Sequence, residues 1–208
     1  MRIEKIVVGE LSSNCYLLTS GENSEAVLID PGAEGARLAE LIKKSGCSLK
    51  YIILTHGHID HISAVPELLA AITPAPALCI HAGDAPMLED SDANLAGFAG
   101  IPFTPFKADI TLGEGTVVGA GDIRLRVLHT PGHTPGGICL LGEDFLFTGD
   151  TLFADGIGRT DLPGGSHEAL TQSIKTRLLS MDENIRIYPG HGPESTIGRE
   201  KRSFHEWI

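Results

Sequence analysis

Thr55-His56-Gly57-His58-Ile59-Asp60-His61 directly follows the apolar residues 51–54. The apolar run predicts a buried strand, and side chains at alternate strand positions project from the same side, so His56 and His58 can hold one ion together. Asp60 and His61 lie beyond the expected bend into a helix, where they can face a second ion. Imidazoles and carboxylates this close together gain little from one another in water, but they are common metal ligands. The motif therefore predicts a metal site where a strand ends and a helix begins.

Three later loops each place one more ligand-type residue beside a glycine, after an apolar strand. They are Thr130-Pro131-Gly132-His133, Thr148-Gly149-Asp150 and Pro189-Gly190-His191. Because the strands of one sheet end at a common edge, side chains at their ends can converge on a single site.

Together these residues predict a site for two divalent metal ions. His56, His58 and His133 form the set for one ion, and Asp60, His61 and His191 form the set for the other. Asp150 can bridge the ions, because each of its two carboxylate oxygens can bind one of them. Zinc is the expected metal, and iron and manganese are alternatives, because His and Asp ligands suit all three and availability decides among them.

The rest of the chain alternates short apolar runs with stretches of helical periodicity, which is typical of a sheet with helices packed on it. Strands are expected at residues 3–8, 15–19, 26–29, 51–55, 77–80, 123–128, 138–141, 145–147 and 185–188. Helices are expected at about residues 34–44, 63–71 and 167–180, and Ser63 is the expected N-cap of the second. Residues 84–106, rich in Pro, Gly and Ala, are predicted to form either short helices or a lid.

Composition limits the class of protein. A length of 208 residues with 42% hydrophobic and 21% charged residues suits one globular domain over residues 1–208. The net charge of −11 argues against a nucleic-acid partner. No apolar run approaches the roughly 20 residues of a membrane helix, so no membrane partner is expected. The start of the chain does not read as a signal peptide, which predicts a cytoplasmic protein with reduced cysteines.

The order of the motifs HxHxDH, TPGH, TGD and PGHG resembles the metallo-β-lactamase superfamily over nearly the whole chain. The resemblance implies an α/β fold, namely an αββα sandwich of two mixed β-sheets flanked by helices, with the metal ions at one edge of the sheets. It assigns the same seven ligands. It also implies that Asp30, in Ile29-Asp30-Pro31-Gly32, lies near the ligands and orients an imidazole.

Two neighbouring segments resemble the glyoxalase II-like branch of that superfamily and its short bacterial members. They are Gly149-Asp150-Thr151-Leu152-Phe153 and Gly156-Ile157-Gly158-Arg159-Thr160-Asp161. This resemblance implies hydrolysis of an acyl thioester, such as a hydroxyacyl-glutathione, by a hydroxide shared between two ions, with Asp60 or Asp150 handling the proton. Glyoxalase II enzymes carry a C-terminal helical extension that contacts glutathione, whereas only residues 192–208 follow the last predicted ligand here. A thioester without glutathione is therefore an alternative substrate.

Two other functions compete with hydrolysis. The same branch includes persulfide dioxygenases, whose single iron would take His56, His133 and Asp150, a two-histidine, one-carboxylate set. The presence of the complete second set, with His58, favours the hydrolase. A purely structural metal module fits poorly, because structural sites are usually closed and four-coordinate rather than paired.

The other candidate residues lie outside the ligand set. The guanidinium of Arg159 is predicted to hold a carboxylate of the substrate, and an ion pair with Asp161 is the competing interpretation. The remaining histidines are expected to have structural roles: His81, His129, His167 and His205.

Overall fold

The computed structural model describes residues 1–21 and 24–204, so His205 lies outside the described residues. Two six-stranded sheets pack against each other. The first has the order β1-β2-β3-β4-β5-β6: β1 (Arg2–Val8), β2 (Ser13–Thr19), β3 (Glu25–Ile29), β4 (Ser48–Ile53), β5 (Ala77–His81) and β6 (Ile110–Leu112). The second has the order β14-β13-β10-β9-β8-β7: β7 (Val117–Ala120), β8 (Ile123–His129), β9 (Ile138–Leu141), β10 (Phe145–Gly149), β13 (Arg186–Pro189) and β14 (Ser195–Thr196).

Both large sheets are mixed. In the first, β1, β2 and β3 are antiparallel, whereas β3, β4, β5 and β6 run parallel. In the second, β10 and β13 are the parallel pair within an otherwise antiparallel sheet. A small hairpin of β11 (Leu152–Phe153) and β12 (Gly156–Ile157) follows β10. The predicted ligand loops follow β4, β8, β10 and β13.

Helices cover the outer faces of the sandwich, which gives the expected αββα architecture. They are α1 (Gly35–Ser45), α2 (Ile59–Ile62), α3 (Val65–Ala71), α4 (Ala96–Ala99), α5 (His167–Ser173) and α6 (Ile197–Ser203), with a 3₁₀ turn at Ala85–Glu89 and a π-helical turn at Ile174–Leu178. Leu38 and Ile42 of α1 pack with the first sheet, and Leu170 of α5 packs with the second. No helix within the described ranges is long and apolar enough to cross a membrane.

The sandwich has three apolar layers because strands such as β2 are buried on both faces. Cys15 and Leu17 point to the helix-covered side, while Tyr16 and Leu18 point between the sheets. Alternate residues of a strand point to opposite faces, so a strand with both faces covered is apolar at nearly every position. Each fully buried aliphatic side chain contributes about 1.5–3 kcal/mol of transfer free energy.

The structure corrects one helix start. Ser63 is not the N-cap of the helix that follows the histidine motif, because the chain forms α2, bends at Ser63 and begins α3 with Pro66 in its first turn. The Ser63 hydroxyl donates to Gly32 O at 2.5 Å, so it is not available to cap α3. The helix expected at residues 167–180 is α5 continued by the π-helical turn.

Candidate metal centre

All seven predicted ligands meet at one edge of the sandwich. His56 and His58 occupy the loop after β4, and Asp60 and His61 lie on α2. The other three follow strands of the second sheet: His133 after β8, Asp150 after β10 and His191 after β13. The site therefore lies across the junction of the two sheets.

Three of these side chains form what we call the first cluster: His56, His58 and His133. Their ligand atoms lie within 4.8 Å of one another. All three residues are nearly inaccessible, at 2%, 3% and 4% exposure. His58 Nδ1 and His133 Nε2 are 2.9 Å apart.

Three others form what we call the second cluster: Asp60, His61 and His191. Asp60 Oδ2 lies 3.2 Å from His191 Nε2 and 3.5 Å from His61 Nε2. The His61 side chain is fully buried, but those of Asp60 and His191 are 18% and 27% exposed. The second cluster is thus the more open of the two.

The carboxylate of Asp150 lies between the clusters. Its Oδ2 is 3.6 Å from His133 Nε2 and also 3.6 Å from His191 Nε2, and its Oδ1 is 3.5 Å from His61 Nε2. Gly190 leaves room for it, because a Cβ at that position would lie 2.1 Å from Asp150 Oδ1. The Pro-Gly-His sequence therefore needs glycine at its centre.

Backbone carbonyls orient the imidazoles of His133 and His191. His133 Nδ1 lies 2.8 Å from Arg159 O, and His191 Nδ1 lies 3.1 Å from Leu11 O. A carbonyl oxygen only accepts hydrogen bonds, so Nδ1 donates in both rings and Nε2 keeps its lone pair for the cluster.

Asp30 orients two further imidazoles. Its Oδ2 lies 3.2 Å from His61 Nδ1 and accepts the Thr55 hydroxyl at 2.6 Å. Because the Thr55 proton goes to Asp30, Thr55 Oγ1 accepts from His56 Nδ1 at 3.1 Å. Asp30 thus lies beside the ligands, as the resemblance implies, with one direct contact and one through a hydroxyl.

The spacing of the second cluster fits a metal ion. His61 Nε2 and His191 Nε2 are 3.2 Å apart. Both rings donate through Nδ1, so their Nε2 atoms face each other and need a proton or a metal ion between them. Four ligand atoms around a tetrahedral zinc lie about 3.3 Å from one another. The 3.2–3.6 Å separations of the second cluster and Asp150 match this value.

Unpartnered atoms point to the same conclusion. His56 Nε2, His58 Nε2 and Asp150 Oδ1 are buried and make no hydrogen bond to the described residues. Leaving a buried polar atom unpaired is costly, and a bound cation removes that cost. The donor set and its geometry therefore fit divalent metal ions.

The two clusters differ in protonation. Burial, followed by the neighbouring imidazoles, lowers the pKa of His56 well below its usual value and that of His58 to about 3. Burial alone would also lower the pKa of His61, but three adjacent carboxylates outweigh burial and raise the pKa of His61 to about 10. Burial would raise the pKa of Asp60, but neighbouring imidazoles hold it below its usual range. Without metal, His56 and His58 are therefore neutral, whereas His61 is protonated and Asp60 is ionised.

The first two residues of β2 support the second cluster, and sequence reasoning missed them. The Ser13 hydroxyl donates to Asp60 Oδ2 at 3.1 Å, and Ser13 forms an isolated antiparallel bridge with His191. The Asn14 side chain donates to Pro189 O at 2.9 Å and to Gly192 O at 3.0 Å. No motif in the sequence marks Ser13 or Asn14, because their partners lie far along the chain.

Asp84 is a second residue that sequence reasoning missed. It is fully buried and accepts hydrogen bonds from Gly57, Thr134 and Gly136. Burial raises the pKa of Asp84 despite these bonds. Its place just after β5, beside the end of β4, was the available signal, since polar residues at neighbouring strand ends often share a site.

Arg159 lies at the rim of the centre. Its guanidinium makes a two-pronged ion pair with Asp161, at 2.8 Å from Nε and 2.7 Å from Nη2, and both side chains are exposed. The charge of Arg159 contributes to the lowered pKa of His58, so it acts on the first cluster. Binding of a substrate carboxylate by Arg159 stays a prediction.

The other histidines that the structure describes, His81, His129 and His167, lie outside the two clusters. His81 and His129 stack on each other with ring centroids 4.1 Å apart. His167 begins α5, but the cap is the Ser166 hydroxyl, which accepts from Ala169 N at 3.2 Å.

Comparison with known families identifies the class of protein. The family model described as the metallo-beta-lactamase superfamily matches residues 8–191. The chain therefore belongs to the metallo-β-lactamase superfamily, whose fold and metal-binding His/Asp clusters it has. It is similar to hydroxyacylglutathione hydrolase GloC of Haemophilus influenzae, with 39% identity over 98% of this chain and 96% of that protein.

Solved structures give the same fold. The BLEG-1 B3 metallo-beta-lactamase is 35% identical, with a TM-score of 0.90 and 97% of each chain covered. TTHA1623 in a di-iron-bound form is 37% identical, with a TM-score of 0.86, and the match covers 96% of this chain and 98% of that one. ETHE1 from Myxococcus xanthus is 28% identical, with a TM-score of 0.80, and the match covers 98% of this chain and 83% of that one.

Proposed function

We propose that this chain is a dinuclear metal-dependent thioesterase of the hydroxyacylglutathione hydrolase type. The position of Asp150 carries the proposal, because its carboxylate lies within 3.6 Å of imidazole nitrogens from both clusters. Seven donors exceed what one ion accepts, and a carboxylate between two clusters suits a pair of ions. The 39% identity with GloC supports a glutathione-linked acyl thioester as the substrate class.

In this proposal the chain's own residues hold the reacting groups and move one proton. Two divalent ions, zinc in the first instance, supply the Lewis acid and the activated water when bound. Asp60 or Asp150 takes the proton of the attacking water on a carboxylate oxygen. Asp60 is held in place by the Ser13 hydroxyl. The guanidinium of Arg159 binds an anionic part of the substrate by exchanging its partner Asp161.

Iron-dependent persulfide oxidation is the second candidate. His56, His133 and Asp150 form a two-histidine, one-carboxylate set, which suits a single iron with open positions. The likeness to ETHE1 supports this alternative, and the likeness to the di-iron form of TTHA1623 supports iron as a metal. The complete second cluster favours the hydrolase, because one iron does not need it.

Oxygen dependence separates these reactions. Zinc-loaded protein is given S-lactoylglutathione and simpler acyl thioesters in air and under argon, and released thiol is measured with a disulfide dye. Protein loaded anaerobically with ferrous iron is given glutathione persulfide at an oxygen electrode. A chromogenic β-lactam tests the activity that the name of BLEG-1 states.

Hydrolysis predicts thiol release at equal rates in air and under argon, with no oxygen uptake from the persulfide. If thioesters stay intact while the iron-loaded protein consumes oxygen and forms sulfite, the thioesterase proposal is wrong. Turnover of the β-lactam with intact thioesters would also overturn it.

A further inference from the structure

Asp84 joins two loops that are distant in sequence. The Gly57 N–H and the Thr134 hydroxyl donate to its Oδ2 at 3.1 and 2.6 Å, and the Gly136 N–H donates to its Oδ1 at 2.6 Å. Both carboxylate oxygens are thus used, and the residue has no exposed surface.

These two loops carry every member of the first cluster. Gly57 lies between His56 and His58, and Thr134 directly follows His133. The contact between His58 Nδ1 and His133 Nε2 at 2.9 Å therefore depends on how the two loops are held relative to each other. Asp84 is bonded to both loops within one residue of each imidazole in the cluster.

The segment after Asp84 packs against the loop that carries His56 and His58. A Cβ on Gly57 would lie 2.7 Å from the Met87 Cβ, so glycine is needed there to admit the 3₁₀ turn. Farther along, Asn94 O accepts from the Ile59 N–H at 2.8 Å. This part of residues 84–106 thus lies behind the histidine motif and fixes its backbone.

Glu200 provides an internal comparison. It is also fully buried, and it accepts from the Asp155 N–H at 2.9 Å and from the Ser195 hydroxyl. The donors of these two hydrogen bonds lie in the β11–β12 turn and in β14, and neither adjoins a member of the first cluster in sequence. Two buried carboxylates thus serve as loop anchors, but only Asp84 connects the loops of the first cluster.

We infer that Asp84 is a positioning residue for the first cluster: its carboxylate sets the separation of the His56–His58 loop from the His133 loop and so tunes metal binding there. Groups that orient metal ligands without touching the ion commonly change metal affinity by about 10–100-fold. The inference concerns metal binding, and it holds whichever reaction the centre performs.

Asp84→Asn is the sharpest test because it keeps the shape and removes one acceptor. Whichever way the amide turns, its NH₂ group meets N–H or O–H donors that the carboxylate accepted. Glu200→Gln is the matched control. Cobalt(II) binding is titrated in competition with a chelator, and the visible absorption bands of the cobalt-loaded proteins are recorded without substrate. Bands altered in His133→Ala identify the first-cluster ion.

We expect Asp84→Asn to lower the affinity for the first-cluster ion by about 10–100-fold and to shift the visible absorption bands of that ion. Glu200→Gln should leave both affinities and bands as in the wild type. Unchanged metal binding and spectra in Asp84→Asn would overturn the inference. An equal loss of affinity for the first-cluster ion in Asp84→Asn and Glu200→Gln would also overturn it.

If Asp84→Asn does not fold, substitutions at Thr134 give a milder test of the same inference. Thr134→Val removes one donor to Asp84 at nearly constant volume, and Thr134→Ser restores the hydroxyl. Weaker first-cluster binding in the valine variant and recovery in the serine variant support the inference. Wild-type binding in Thr134→Val would contradict it.

Discussion

The two clusters of the metal centre are built differently. The first has three imidazoles at 2–4% exposure, and the interior residue Asp84 joins its loops. The second includes a carboxylate, and its Asp60 and His191 side chains are 18% and 27% exposed. Its support comes from the turn before β2, where Leu11 O contacts His191, and from the first residue of β2, where the Ser13 hydroxyl contacts Asp60.

In the proposed two-ion centre, this difference predicts that the two ions differ in accessibility and in how readily they exchange. A buried cluster of imidazoles suits an ion that stays in place. The open cluster suits an ion that water and substrate can reach, and that exchanges more readily with solvent. The exposed Leu11, at 59%, stands at that open side beside His191. A substitution should therefore affect metal binding at one cluster and not at the other. Asp150 is the exception, because it contacts both clusters.

Asp150→Ala should have the largest effect. It removes the carboxylate between the clusters and a candidate proton acceptor, so kcat should fall by about 10²- to 10⁴-fold. Thiol release from a thioester is the measurement. Asp122→Ala, at an exposed carboxylate that pairs with the N-terminal amine, is the control. Loss of less than about tenfold, with both ions bound, would remove Asp150 from its proposed role.

Ser13→Ala should have an intermediate effect confined to the second cluster. The substitution deletes the hydrogen bond to Asp60 Oδ2, so affinity for the second-cluster ion should fall by about 10–100-fold while the first is retained. Competitive metal titration measures both. Ser12→Ala changes an exposed neighbour and serves as the control. If Ser13→Ala binds two ions as tightly as the wild type, the hydroxyl does not position Asp60.

Arg159→Lys should have the smallest effect. It keeps the charge and loses the planar fork, so KM for a carboxylate-bearing thioester should rise several-fold while metal content stays constant. The backbone contact of Arg159 O with His133 survives the change. Asp161→Asn, which frees the guanidinium, should not raise KM. If Arg159→Ala also leaves kcat/KM unchanged for every carboxylate-bearing substrate, Arg159 serves only its ion pair.

The convergence of the predicted ligands was readable from the sequence because five of them follow apolar strands, mostly beside a glycine, and Asp60 and His61 come directly after the first of these loops, on α2. Strand ends meet at sheet edges, so local patterns were enough to predict that these side chains converge. The αββα fold was predicted from the family resemblance, and it is confirmed. Long strands such as β8 were located to within a residue or two, whereas β6, β7 and β14, at three, four and two residues, are too short to show a period.

The groups that orient the ligands could not be read in the same way. Ser13 and Asp84 are single polar residues whose roles depend on partners 47 and 50 positions away, Asp60 and Thr134. For residues 84–106 the sequence predicts either short helices or a lid, and the structure has a 3₁₀ turn and α4 there. The need for glycine at position 57 could not be read either, because its close neighbour, Met87, lies 30 positions along the chain.

Metal stoichiometry tests the central claim most directly. Protein purified without chelator should contain about two divalent ions per chain by elemental analysis, since seven ligands exceed the needs of one ion. Brief dialysis against a chelator should first remove the ion of the open second cluster, and His191→Ala should retain about one ion. A reproducible content of about one ion in the wild type, unchanged in Asp60→Ala and His191→Ala, would contradict the two-cluster account.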